Sequence, residues 1–197
     1  MPSARSASLA FMAGGLLMAV LWLVYTTVHG PTSFDQTGVV LGRSTLFWSL
    51  LLSVPPSLSV AQGLVVLRPH FDFDITRTAR IGYGLAMIGL IVPVGLDLFV
   101  WGALGPPFFV PVLGTGLTLL AYGSWRSRRL PRHSLYALTI IGVSQIIAFA
   151  LAAMPLALSD RIGGYRLYGL VAHLLTGLGW VALGAGLWKT PSLTPAE

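Results

Sequence analysis

The sequence predicts an all-α polytopic membrane protein, a bundle of six transmembrane helices, and three observations carry that prediction. Six continuous apolar runs occur, at 8–28, 44–67, 81–103, 107–125, 134–158 and 167–188. Each approaches the ~20 residues a helix needs to cross ~30 Å of hydrocarbon. The 197 residues are 55% hydrophobic and 9% charged, with a mean hydropathy of +0.80, too little polar surface to coat a water-soluble globule. Basic residues stand in the gaps between runs, concentrated in alternate gaps. Long continuous runs favour helices over a barrel, whose strands would show short alternating segments. One bundle fills 1–197 and leaves no room for a soluble domain.

Taken in order, the first run follows PSARSAS and resembles a signal peptide, but its apolar stretch is long and no small-x-small cleavage site follows. It is expected to remain as a helix. In the second run Ser49, Ser53 and Ser57 recur every four residues and share one face, while Pro55 and Pro56 remove two amide donors and kink the span. The third and sixth runs carry small-residue ladders: Gly82 with Ala86, Gly169 with Gly177 on either side of His173, and Ala182 with Gly186. Such positions let helix backbones approach closely. RIGYGL at 80–85 and RIGGYRLYGL at 161–170 open these two runs, a short echo of the kind an inverted repeat leaves.

Charge gives the chain an expected orientation. Arg5, Arg68, Arg77, Arg80, Arg126, Arg128, Arg129, Arg132 and Lys189 fall on one side, and Arg43, Arg161 and Arg166 on the other. By the positive-inside rule both termini face the cytoplasm, in a plasma membrane. The net charge of +6 is absorbed by this placement at run ends, so a nucleic-acid surface is not expected. The acid-free segment with Arg126, Arg128, Arg129 and Arg132 is expected to meet anionic lipid headgroups. Asp72 and Asp74 lie among arginines in the other basic loop, where exposed ion pairs are expected rather than a bound cation.

Few polar residues lie inside the runs. Asp97 is the one formally charged residue well within a span, at a cost of about 2.5–3.5 kcal/mol on insertion scales. It lies near the outer end of the third run, and His173 lies at equal depth in the sixth. An Asp97–His173 hydrogen bond is therefore open to them if those helices are neighbours. His29, Asp35, Arg43, Asp160, Arg161 and Arg166 can line an outer vestibule above this pair or form a solvated loop rim. Gln62 and Gln145 are weaker interior candidates, each read as an interhelical hydrogen bond.

No cysteine is present, only one Glu occurs, at position 197, and no Gly-x-Ser-x-Gly or His-Glu-x-x-His motif appears. Enzymatic chemistry and a metal centre are therefore not expected. Three readings remain open: a small-solute or proton-linked permease-like bundle with an outward polar pocket at Asp97 and His173, a membrane scaffold or partner subunit with a structural Asp–His pair, and a b-type haem carrier. Haem would use His173, with Gly169 and Gly177 letting a flat macrocycle approach. His29, His70 and His133 stand at run ends or in loops, where histidines are ordinarily solvated. A protein partner or a homo-oligomer is compatible with all three.

Overall fold

The computed structural model describes residues 4–29, 39–71, 73, 76–101, 108–125, 129–153 and 164–190. The first apolar run forms α1, Ala4–His29, and the second forms α2, Thr45–Leu67. Between them a two-residue hairpin pairs β1, Val39–Val40, with β2, Arg43–Ser44, in the register Val40–Arg43 and Val39–Ser44. Its turn residues Leu41 and Gly42 both have positive φ, 49° and 71°, the backbone that lets two strands reverse in two residues. Ser44 then caps α2, its Oγ accepting from the Phe47 amide at 3.2 Å.

After a 3₁₀ turn at Arg68–His70, α3 covers Arg77–Leu96 and runs on as a π-helical turn, Asp97–Trp101. Thr76 starts it twice over: its Oγ accepts from the Ala79 amide at 3.4 Å and donates to the Gly123 carbonyl at 2.9 Å. The fourth element, α4, is Phe109–Gly123, and α5 is Arg132–Ala152. The last rod, α6, has three consecutive parts: Gly164–Gly169, a π-helical stretch Leu170–Leu175, and Thr176–Trp188.

Five of these helices have the length and apolarity to cross a membrane, so the fold is a polytopic α-helical bundle. The fourth differs from expectation. Its 15 residues extend about 22 Å at 1.5 Å per residue, shorter than the hydrocarbon core. Pro106 and Pro107 precede it in the sequence and disfavour helix there, and Gly123–Ser124 closes it before the arginines.

Each helix packs antiparallel on the next, and α6 returns to α1, so the six close into a ring in chain order. Small residues set the tightest seams. Along α3 and α4, Ala79, Gly82, Ala86 and Gly89 meet Gly123, Leu120, Gly116 and Leu113 in turn. Along α1 and α6, a Cβ on Gly177 would lie 2.6 Å from the Gly15 carbonyl, and Ser8 donates to the Gly184 carbonyl at 2.5 Å. Lipid tails are as apolar as the helices, so this backbone-level contact, rather than water exclusion, holds the seams together.

The apolar core fills the half of the ring nearer the chain termini. Phe11 of α1 stacks on Trp180 of α6 at 5.3 Å, and around them lie Leu64 and Leu67, Ala79 and Ala86, Leu117 and Leu120, Leu135 and Leu138, with Leu183 and Leu187. At the same end Phe71 packs on Phe73 and Tyr83. The opposite half holds Asp97, Ser53, Gln145, His173 and Thr176.

The α3–α4 seam yields a direct test. A Cβ on Gly116 would lie 2.9 Å from the Ala86 Cα, whereas one on Gly84 meets nothing within 4 Å. Gly116→Leu should therefore cost about 1–3 kcal/mol through overpacking, while Gly84→Leu should be tolerated. Thermal unfolding of both variants in the same detergent checks it, and equal midpoints would contradict this seam.

Candidate functional site

Two helices carry prolines where the polar half begins. Pro55 and Pro56 sit inside α2, Pro93 sits inside α3, and α3 changes to π pairing four residues after Pro93. Each proline leaves a carbonyl one turn upstream without its usual amide. At this junction Asp97 is only 2% exposed, and the Ser53 hydroxyl of α2 donates to its Oδ2. Of the serine face expected on α2, Ser53 reaches the carboxylate, Ser57 is partly buried, and the side chain of Ser49 lies outside the described residues. Such a hydrogen bond to a charged acceptor is about twice as strong as one between neutral groups.

His173 lies on α6 in the same end of the ring but across it, because α3 and α6 stand on opposite sides. The Asp97–His173 hydrogen bond that equal depth allows is not made. Both ring nitrogens of His173 are shut off from the surface and have no hydrogen-bond partner. The imidazole instead stacks on Trp22 of α1, centroids 4.7 Å apart, with the edge of Tyr168 closing over it at 6.0 Å. Sequence depth placed the two residues at one level but carried no information about which helices are neighbours.

Gln145 is 4% exposed on α5, and its side-chain amide donates to the Ala172 carbonyl at 3.0 Å and to Thr176 Oγ1 at 2.8 Å. Thr176 Oγ1 in turn donates to the Val171 carbonyl at 2.9 Å. Thr176 thus belongs to the polar half although the sequence reading did not single it out. Its signal is position, three residues after His173 in a run otherwise apolar around it. Gln62 departs from expectation: it is exposed on the outer surface of α2, because its position turns away from the residues at 60, 61, 63 and 64 that face the ring.

Around the mouth, Arg43 is exposed and lies over the Phe47 ring at 5.4 Å, as a surface residue of the hairpin. His29 ends α1 and Arg166 stands in the first part of α6. The expectations for their side chains, and those for Asp35, Asp160 and Arg161, lie outside the described residues, so no vestibule is assembled from them. At the other end Arg132 opens α5 as an exposed residue and Arg129 is partly buried, while Arg126, Arg128, Asp72 and Asp74 lie outside the described residues. Arg5 sits over the Trp188 ring at 5.6 Å, and Arg80 donates to the Phe73 carbonyl at 2.8 Å.

The geometry removes the arrangement on which a haem reading rests. The Trp22 indole fills the notch at Gly169, and the α1 backbone at Gly15 covers Gly177. Both faces on which a macrocycle would lie beside His173 are occupied by α1. His133 packs its ring against Gly186 near the termini end, and His70 lies in the 3₁₀ turn after α2. Among the described residues no three His, Asp or Glu side chains converge on a point where a metal would sit.

Comparison of this chain with protein-family models, with curated proteins and with solved structures gives no match. What is shown is a membrane-embedded helical bundle, and its activity has to be argued from the polar half alone.

Ser53 and Asp97 should behave as a coupled pair. In a double-mutant cycle of Ser53→Ala and Asp97→Asn, thermodynamic coupling of about 1 kcal/mol or more is expected from a charge-assisted bond of this kind. Additive stabilities, measured by reversible unfolding in detergent, would contradict the pairing.

Proposed function

We propose that the chain is a non-enzymatic, proton-linked bundle of the permease class that handles a small solute at the polar half, with Asp97 as its proton-binding group. The observation that carries this reading is a buried carboxylate where two proline-containing helices meet, accepting from the Ser53 hydroxyl. Ionisable groups inside spans are costly, and the places where they persist are ion and proton pathways more often than not. Helices interrupted near such a residue supply backbone carbonyls to a bound ion or solute.

The arrangement supports a sided reading. Nine of the twelve basic residues support an orientation with the termini in the cytoplasm and the bundle in a plasma membrane, which turns the apolar core inward and the polar half outward. Six crossings, with α4 as a short one, keep both termini on one side. Asp97 is then reached from outside, takes up a proton there, and is sealed from the cytoplasm by the packed inner half. In this reading Arg129 and Arg132, with Arg126 and Arg128, sit against anionic headgroups of the inner leaflet. A scaffold built on a structural Asp–His pair is less well supported, since the pair is not formed.

A hydrophobic carbodiimide tests the proposal, because it modifies carboxyl groups that are protonated within an apolar site. In proteoliposomes the wild-type chain should gain one stable adduct, mapped by mass spectrometry to Asp97, with yield falling as pH rises. Asp97→Asn should gain none. An Asp97 that stays unmodified at every pH would overturn the proton-binding role and favour a scaffold.

A further inference from the structure

An α-helix pairs each amide with the carbonyl four residues back, and α6 departs from this over Leu170–Leu175. The Thr176 amide passes over the Ala172 carbonyl and is shared between His173 O, three residues back, and Val171 O, five residues back. Thr176 Oγ1 donates to the same Val171 oxygen at 2.9 Å. The Ala172 carbonyl, which the α register would give to the Thr176 amide, is taken at 3.0 Å by the Gln145 side chain of α5. Gln145 also donates to Thr176 Oγ1 at 2.8 Å. One side chain therefore replaces the bond that the π register vacates and holds the hydroxyl that reinforces it.

His173 lies inside this stretch, and the same register leaves both its nitrogens buried and unpartnered. An unsatisfied buried polar group costs about 1–3 kcal/mol, so this position is held against a penalty by its surroundings. Those surroundings are the Trp22 face, the Tyr168 edge and the notch at Gly169, where the Trp22 indole sits so closely that a Cβ would overlap it.

We propose that α6 is a two-register switch: Gln145 and Thr176 hold the π register seen here, and return of the Ala172 carbonyl to the Thr176 amide turns the Gly164–His173 part about its axis, releasing the imidazole from between Trp22 and Tyr168. Thr176–Trp188 stays fixed by its seam with α1, so the rotation is confined to the polar half. Because Gly169 turns with His173, Trp22 loses its notch and its stacking partner together, which makes the change concerted. In the released register His173 presents its nitrogens to the solute or proton that the polar half handles, so the switch rests on the proposed function and supplies its gate.

Carbethoxylation by diethylpyrocarbonate, followed by peptide mass spectrometry in nanodiscs, reads the register through the imidazole. His133, which is exposed, is the internal reference. In the wild type His173 should react at least tenfold more slowly than His133. Gln145→Met and Thr176→Val, which keep shape and remove the clamp, should each bring His173 towards the His133 rate while the helical signal and elution profile stay unchanged. Folded variants with an unchanged His173 rate, or a wild type whose His173 reacts as fast as His133, would overturn the switch. If neither variant keeps its fold, the wild-type kinetics decide: a switch gives a His173 rate that saturates with reagent concentration, limited by opening, and a static turn gives a rate linear in reagent or no reaction. Carbodiimide modification of Asp97 is scored separately. A modified Asp97 beside a static His173 removes the switch alone, and a gated His173 beside an unmodified Asp97 removes the proton-binding role alone.

Discussion

Inside hydrocarbon no water is present to accept or donate a hydrogen bond, so every backbone and side-chain polar group must find its partner within the chain. That constraint shapes the polar half of this bundle more than any packing preference does. Where α2 and α3 contain proline, Ser53 reaches across to Asp97. Where α6 leaves its α pairing, Gln145 reaches across from α5 to the carbonyl set free. Each irregular turn is thus matched by a polar side chain from a neighbouring helix. Within the polar half His173 departs from this, enclosed by aromatic rings with both nitrogens unpaired.

The same constraint explains the division of the ring. Regular helices satisfy their own backbones, so the half near the termini is held chiefly by side-chain and backbone packing. Glycine and alanine seams bring α3 onto α4 and α1 onto α6, and large apolar residues fill the middle. Irregular helices need help, and among the described residues the π-helical turns and Asp97, Gln145 and Thr176 lie in the opposite half. π turns recur at functional sites because a displaced register exposes backbone groups that a regular helix keeps occupied. Here the two lie on α3 and α6, each containing an ionisable residue.

Much of the fold was legible because hydropathy and run length are read one residue at a time. The all-α membrane class follows from composition, and five helices have spanning length. The short α4 was less legible, since its apolar run at 107–125 extends beyond the helix at both ends. At the site, Asp97, His173 and Gln145 stand out in sequence as polar residues in apolar runs, and the Ser49, Ser53, Ser57 spacing marks the face that carries Asp97's partner. Neighbourhood was not legible. Nothing in a run of apolar residues says that α6 closes on α1 and sets Trp22 against His173, so Asp97 and His173 read as a pair although the ring separates them. Gln62 was misplaced for a similar reason: depth in the membrane does not say which way a residue faces. The π register is a tertiary effect, dependent on a glutamine 27 residues away, and no local pattern announces it.

Ring closure sets α1 against α6 and puts α3, which carries Asp97, across from α6, which carries His173. The chain contains no cysteine, so introduced pairs report without background. A Cβ at Gly177 would lie 3.1 Å from that of Ala19, near disulfide range, whereas Gly95 beside Asp97 and Leu174 beside His173 stand on opposite helices of the ring. Oxidation in membranes should cross-link Ala19→Cys with Gly177→Cys in one chain and leave Gly95→Cys with Leu174→Cys uncrosslinked. An efficient second cross-link with a failed first would contradict the ring and restore Asp97 and His173 as neighbours.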